Sequence, residues 1–384
     1  MRAAVVGGSL GGLAAALALR RAGWDVEVYE RSRSSLAATG AGIIVHPVTS
    51  STIADLTGAS LDAFSLAVGT VRTLDQTGSL LLEDARSYRT AAWSSLYRPL
   101  RDGFGERGYH GGASVSGAEQ DADGVTLSLV DGRRVRCELA VFADGILSTG
   151  RALLIGELPM PYAGYVGWRG TAGFDDLGAD AYAALSSAVT FGLAPASHIV
   201  AYPIPSAGAR PLVNYVFYRN VTAIDALMTT QAGERRAVSL RPGEVQPGFV
   251  EALRETARAS LAPILAELVV ATDRPFVQQI VDVVTPRMVV GRACLIGDAA
   301  FAGRPHAAAG TAKALDDART LAQALEEGNG DVAGALARWE PARLQLGRAL
   351  GERVRAMGQR SQVTGTWDPR DPSLRFGLYE AGDC

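Results

Sequence analysis

The opening thirty residues leave the chain little choice of fold. Ala3-Ala4-Val5-Val6 is a short apolar run of the kind a buried parallel strand needs. It runs into Gly7-Gly8-Ser9-Leu10-Gly11-Gly12, an approximation to G-x-G-x-x-G with Ser9 in place of the second glycine. Each position has a physical task. Gly7 permits the tight turn, the middle position lets a pyrophosphate approach the backbone, and Gly12 lets helix and strand pack closely. Serine is small enough to stand there, and its hydroxyl is able to donate to phosphate. Leu13, Leu17 and Leu19, with small alanines between them, continue as a helix that Gly23 stops. Asp25–Glu30 alternates as a strand and ends on a carboxylate, at the spacing where an acid accepts from the adenosine ribose hydroxyls. Strand, glycine turn, helix, strand and acid in this order read as a dinucleotide site. The acid favours FAD or NAD over NADP, because a 2′-phosphate would be repelled.

Further along, Ser32–Gly42 reads as a loop, Ile43–Val45 as a strand and Ser50–Leu56 as a helix. Residues 71–75 and 79–83 suit a hairpin around Thr77-Gly78, and Trp93–Phe104 suits a helix. Val125–Val130 and Arg133–Cys137 flank the turn dipeptide Asp131-Gly132. Leu139–Phe142 is another buried strand, ending at Ala143-Asp144-Gly145. From about 160 to 285 strands dominate: Tyr165–Thr171, Val189–Leu193, His198–Ile204 and Leu212–Tyr218, followed by helices at Gly248–Ala259 and Ile264–Ala271. Ala293–Ile296 then returns to the buried-strand pattern, before helices at Thr311–Glu326 and Asp331–Met357. The segment after Gln359 reads as polar and irregular.

Two later motifs distinguish a tightly held flavin from a simple NAD site. Gly297-Asp298-Ala299-Ala300 is followed by Gly303-Arg304-Pro305-His306-Ala307-Ala308-Ala309-Gly310. Asp298 is placed to accept hydrogen bonds from a polyol. The small residues Ala308, Ala309 and Gly310 let the N–H groups that open the next helix approach a ring carbonyl, where the helix dipole stabilises negative charge. The other motif is Asp144-Gly145 with Ser148 and Arg151.

With the glycine turn and Glu30-Arg31, with Gly40-Ala41-Gly42-Ile43, and with Pro305, these motifs fall in the order of a known family. Over Met1 to about Gly358 the chain resembles the single-component FAD-dependent aromatic hydroxylases of the p-hydroxybenzoate hydroxylase type. Tyr162–Gly170, Ala201–Pro205 and Gly303–Ala318 resemble the branch that hydroxylates dihydroxypyridines. Three departures stand out: Ser9 for glycine, Phe142 where glycine usually stands, and Phe301 where histidine often follows Gly-Asp-Ala-Ala.

The resemblance implies an α/β fold: a Rossmann-like FAD-binding domain interleaved with an antiparallel-sheet substrate domain and a C-terminal helix. The expected division is 1–70, 95–158 and 285–330 for the FAD-binding domain, 71–94 and 159–284 for the substrate domain, and 331–384 for the helix and tail. It implies FAD as cofactor, held by Gly7, Ser9, Leu10, Gly12, Glu30, Arg31, Gly42, Asp144, Arg151, Asp298, Pro305, Ala308, Ala309 and Gly310. It also implies NADPH or NADH as a transient co-substrate, O2, and hydroxylation of a small hydroxylated aromatic or N-heteroaromatic ring through a flavin C4a-hydroperoxide. Arg31 and Arg151 are then expected at flavin or nicotinamide. The chain has no second G-x-G-x-x-G, which agrees with transient nicotinamide binding.

A group that favours the deprotonated substrate hydroxyl is also expected. His46 follows the strand after Gly42, and His306 lies in the loop that should meet the flavin ring. His198 and Tyr202 share one face of a strand, Tyr215 and Phe217 share a face of the next, and Tyr218 lies opposite. Tyr202 and Tyr215 join His46 and His306 as candidates for the substrate site, and alternation alone leaves open which face is used.

Other classes fit less well. A formal net charge of −3 supplies no attraction for nucleic acid or an anionic membrane. Cys137, Cys294 and Cys384 are odd in number and widely spaced, so neither disulfides nor a cysteine metal site is expected. With no secretory pattern in the opening residues, the expected location is cytoplasmic. A flavin halogenase would carry Trp-x-Trp-x-Ile-Pro, which is absent, and the single lysine, Lys313, falls inside a helix. An epoxidase or hydroxylase of a non-aromatic intermediate, and a flavin-binding protein without catalysis, remain alternatives. A homodimer through the C-terminal helix is also open.

Overall fold

The computed structural model describes residues 1–34, 36, 41–208 and 210–384; Gly40 of the Gly40–Ile43 motif lies outside the described residues. A six-stranded sheet forms first. Its order is Val289–Val290, Ala293–Leu295, Leu139–Phe142, Arg2–Val6, Asp25–Glu30, Tyr109–Gly111. All pairs are parallel except the two-residue edge strand Val289–Val290. Parallel strands are covered on both faces, which is why Val5, Val28, Val141 and Leu295 are wholly buried. The helix Leu10–Arg21 lies across this sheet and packs on Gly310–Glu327. A three-stranded antiparallel sheet, Val115–Gln120, Val125–Leu129 and Arg134–Cys137, is attached beside it.

The second sheet has eight strands in the order Ser239–Leu240, Phe276–Val281, Tyr162–Ala172, Leu212–Asn220, Ser197–Ile204, Val189–Ala194, Val71–Leu74, Leu80–Asp84. It is antiparallel except where Val189–Ala194 meets Val71–Leu74. One face is covered by the helices Ala179–Ser186, Pro247–Ser260 and Pro263–Ala271, with Phe217, Leu265 and Val277 at the centre of that core. The other face turns toward the parallel sheet.

Between the two sheets, Gly42–Val45, Tyr88–Ala92 and Leu66–Val68 form a small antiparallel sheet. Its middle strand, Tyr88–Ala92, was grouped with the substrate lobe in the sequence-based division, yet it pairs with strands from the 1–70 segment. Most expected elements are present. Tyr88–Ala92, Val115–Gln120 and Phe276–Val281 were not anticipated, each a short run whose polar and apolar residues do not alternate cleanly. The final helix, Val332–Gln362, is 31 residues long and extends five residues beyond the expected end at Met357. No helix among the described residues is long and apolar enough to cross a membrane.

Candidate active site

A cleft of about 900 Å³ runs between the sheets, from the glycine turn at one end to a group of aromatic rings at the other. That is the upper part of the usual range for small-molecule sites. The glycine end is built by close backbone approach. Gly7 has φ +104°, and a Cβ there would lie 2.4 Å from the Ala143 carbonyl. A Cβ on Gly12 would lie 1.9 Å from the Gly7 carbonyl, so only glycine fits. Ser9 starts the helix with extended backbone and makes no side-chain cap bond, and with Leu10 it lines the cleft.

Glu30 is buried beside this turn. The Gly8 N–H donates to its Oε2 and the Ser32 N–H to its Oε1, each at 2.7 Å. Each oxygen keeps a second lone pair for a hydroxyl ligand. Arg31 is exposed at the rim of the cleft. Asp144 lines the cleft while its carboxylate accepts from Ser148 Oγ and from the Gly150 N–H. Burial pushes its pKa up, and those two bonds act against the shift.

Arg151 is not at the cleft. Its guanidinium donates to the carbonyls of Ala299 (2.9 Å) and Ile146 (2.7 Å), tying the Asp144 loop to the Gly297 loop. The expectation of a flavin or nicotinamide contact is therefore replaced by a strut beneath the cofactor loops. Five donors in one planar fork suit that task.

The middle of the cleft is lined by Asp298, Pro305, Ala308, Ala309, Gly310 and Lys313. Asp298 opens onto the cleft; its enclosure by protein raises its pKa, and Lys313 draws it back down. Ala308 has φ +54°, a left-handed backbone that costs an alanine about 1 kcal/mol. The Gly310–Glu327 helix begins immediately after it, with first-turn N–H groups that lack intrahelical partners. Gly42 stands across from this helix start, its N–H donating to Asn214 Oδ1 at 2.8 Å. A Cβ on Gly42 would meet Asn214 at 2.5 Å and Tyr202 at 2.7 Å. An elongated group with two phosphates, a polyol and a flat ring fits these residues: narrow backbone cradle, acid for a ribose, acid for a polyol, helix N-terminus for a ring.

At the far end His198, Tyr202, Val216, Tyr218, His306 and Phe376 face the cleft. Tyr202 is thus placed as expected. Tyr215 is not, because the residues that reach the cleft from its strand are Val216 and Tyr218. Tyr215 points the opposite way, into the helix-covered core near Thr272.

His306 is buried, and its Nε2 lies 2.7 Å from the Tyr165 hydroxyl. Arg304 lies over the Tyr165 ring, its guanidinium carbon 5.6 Å from the centroid, and Asp282 holds Arg304 through both carboxylate oxygens. Nε2 accepts from the Tyr165 hydroxyl in the Nδ1–H tautomer and donates to it in the other. His306 Nδ1 has no partner among the described residues. Burial holds the ring's pKa far below its ordinary value, with His198 and Arg304 pushing the same way. His46 Nε2 donates to the Ala308 carbonyl at 3.1 Å. Burial lowers its pKa to about 4, and its Nδ1 is also unpartnered. His46 thereby braces the left-handed Ala308 from behind and is absent from the cleft lining.

Sequence reasoning missed Arg169, Tyr218, Tyr165, Arg304 and Phe376. Parity offered Tyr218 as well as Tyr215, but the helices that choose between the faces lie far along the chain. Arg169 lines the cleft near Tyr202 and Tyr218 and has no ion pair among the described residues. Nothing local marks it.

Residues 162–282 match the family model described as FAD binding domain-like. The chain is 38% identical to 2,6-dihydroxypyridine 3-monooxygenase of Paenarthrobacter nicotinovorans, over 98% of this chain and 96% of that protein. The solved structure of 2,6-dihydroxypyridine-3-hydroxylase from Arthrobacter nicotinovorans superposes with a TM-score of 0.94 at 37% identity, covering 99% of this chain and 97% of that one. A Klebsiella pneumoniae protein solved with FAD and uric acid superposes with a TM-score of 0.78 at 25% identity, covering 97% and 90% of the two chains. With identity and fold shared over nearly the whole length, the chain belongs to the family of FAD-dependent monooxygenases that includes 2,6-dihydroxypyridine 3-monooxygenase.

Proposed function

We propose that this enzyme hydroxylates a small, hydroxylated N-heteroaromatic ring of the dihydroxypyridine class, with FAD, NAD(P)H and O2. The observation that carries the reading is the buried His306 beside an aromatic-walled chamber, its Nε2 on the Tyr165 hydroxyl and its Nδ1 without a partner among the described residues. Bound FAD supplies the reduction of O2 and delivers the oxygen atom. The protein's share is to bind the ring, exclude water and bias one proton.

In this reading the glycine turn, Glu30 and Asp298 hold the cofactor, and the helix start at Ala309-Gly310 faces its ring. Tyr202, Tyr218 and His198 wall the substrate chamber. His306 Nδ1–H donates to a substrate oxygen, which favours the hydroxyl in its deprotonated form and makes the adjacent ring carbon more nucleophilic. The unpaired guanidinium of Arg169 adds a positive potential for that anion. His46 acts one step removed, as a positioning residue for the Ala308 backbone.

The test begins with FAD-loaded protein and a panel of hydroxypyridines and phenols, following NAD(P)H oxidation and product mass. One compound is expected to accelerate oxidation and gain one oxygen atom. In His306→Ala, kcat/KM for that compound should fall about a hundredfold, the lower end of what a positioned acid–base group contributes. FAD content should be unchanged. Tyr165→Phe should fall partway and shift the pH profile, because Nε2 loses its hydrogen-bond partner. Wild-type kcat/KM in His306→Ala would remove His306 from the reaction, and no stimulation by any ring would remove the substrate class.

A further inference from the structure

The segment after the long helix reads as irregular, yet it completes one wall of the chamber. We propose that Phe376, carried by this segment, sets the upper limit on the size of ring the enzyme accepts; this rests on the ring-hydroxylase reading above.

Phe376 is buried, lines the cleft, and ends a chain of rings along the chamber. Its ring centroid lies 5.7 Å from Phe191; Phe191 lies 6.4 Å from His198, His198 4.7 Å from Tyr218, and Tyr218 4.6 Å from His306. The other members differ from Phe376 in one respect. Phe191, His198 and Tyr218 stand on strands hydrogen-bonded on both sides, and His306 is held by Tyr165, so none of them can retreat. Phe376 packs on the Tyr88 ring, 5.3 Å away, with Cys384 at the edge of the same cluster. Removing the phenyl group therefore lengthens the chamber in one direction, toward Tyr88, and leaves the other walls standing.

The segment is fastened firmly enough for Phe376 to act as a fixed stop. The Gly377 N–H donates to the Ala307 carbonyl (3.2 Å), next to the carbonyl that His46 holds. Arg353 of the long helix donates to the carbonyls of Gly377 and Leu378. The Asp383 carboxylate accepts the N–H groups of Leu378, Tyr379 and Glu380 within 3.0 Å, and the Gly382 N–H closes onto the Phe376 carbonyl at 2.9 Å. This turn is so tight that a Cβ on Gly377 would lie 1.8 Å from the Glu380 carbonyl. Upstream, Arg360 pairs with Asp371, and Trp367 stacks on His198 at 4.5 Å.

The experiment compares FAD-loaded wild type, Phe376→Ala and Phe376→Leu. Each is titrated in the oxidised state, without NAD(P)H, with 2,6-dihydroxypyridine and with the bicyclic 2,4-dihydroxyquinoline, and Kd is read from the perturbed flavin absorption. kcat/KM follows for both rings. In Phe376→Ala the bicyclic-to-monocyclic preference should rise at least about tenfold, the lower end of what pocket size confers, with FAD content equal to wild type. Phe376→Leu should move the same way by less, and it carries the test if the alanine variant does not fold. An unchanged preference in both variants, with wild type binding the pyridine, overturns the proposal and leaves the hydroxylase reading intact. A wild type that neither binds nor oxidises with the pyridine overturns that reading, and the size limit with it.

Discussion

Two phenylalanines that break the family pattern are each matched by a glycine elsewhere in the chain. A Cβ on Gly150 would lie 2.2 Å from the Phe142 ring, and one on Gly347 would lie 2.4 Å from Phe301. Gly150→Ala should therefore cost about 1–3 kcal/mol, as overpacking in a close-packed core does. In the Phe142→Leu background the same change should cost measurably less, and a double-mutant cycle in urea reads the coupling. Additive costs would mean the ring and the glycine do not share that space. The departures themselves were legible in the sequence; their partners were not, because contact between residues 301 and 347 depends on how a helix lies against a loop. The same limit explains Arg151 and Tyr215. Their residue types suited the expected roles, and only the positions of Ala299 and of the covering helices excluded them.

The two last helices are joined by charge rather than by apolar packing alone. Asp316 and Asp317 on Gly310–Glu327 are fully buried and both meet Arg343 of Val332–Gln362, at 2.7 and 2.9 Å. Lys313 adds a 2.6 Å contact to Asp317, and Asp317 also accepts the Gly297 N–H at 2.9 Å. For Asp316 burial pushes the pKa up, but Arg343, Tyr379 and Arg319 together outweigh it and the net shift is downward. Removing the one group that serves both carboxylates takes a buried charge-assisted hydrogen bond from each and leaves Lys313 on Asp317 and Arg319 on Asp316. Arg343→Met should cost about 1–3 kcal/mol in urea denaturation. Because Gly297 hangs on the same carboxylate, FAD dissociation should also accelerate in that variant, which release of flavin fluorescence would follow. Unaltered stability would mean that the cluster contributes nothing net. Periodicity revealed both helices. It could not reveal this join, since an Asp-Asp pair between leucine and alanine reads as a solvated face.

At the scale of the whole molecule, three histidines are buried without charge, two lining the chamber and His46 behind Ala308. Burial lowers His46 to about 4 and His198 to about 3, and His306 lies well below its ordinary value. The sign of the consequence follows from proton counting. Below pH 6.5 the unfolded chain takes up protons that the folded chain refuses, so stability is lost as pH falls toward the folded-state pKa values. Between pH 7 and 5 the loss should be about 2 kcal/mol for each of His46 and His198. Urea midpoints at the two pH values measure it, and His46→Gln should remove its own share of the difference; a midpoint that does not move with pH would contradict the neutral burial. The two-sheet plan was largely readable, because buried strands announce themselves locally. The chamber was not, because it is assembled from segments that meet only in the finished fold. That assembly has a consequence for synthesis. Arg2–Val6 sits at the centre of the parallel sheet, yet the sheet cannot add Ala293–Leu295 until nearly 300 further residues have been made. At ribosomal speed that is a wait of roughly 15–60 s. Throughout it the nascent chain carries an incomplete apolar sheet, so yield in a cell should depend on chaperone supply more than on the stability of the finished enzyme.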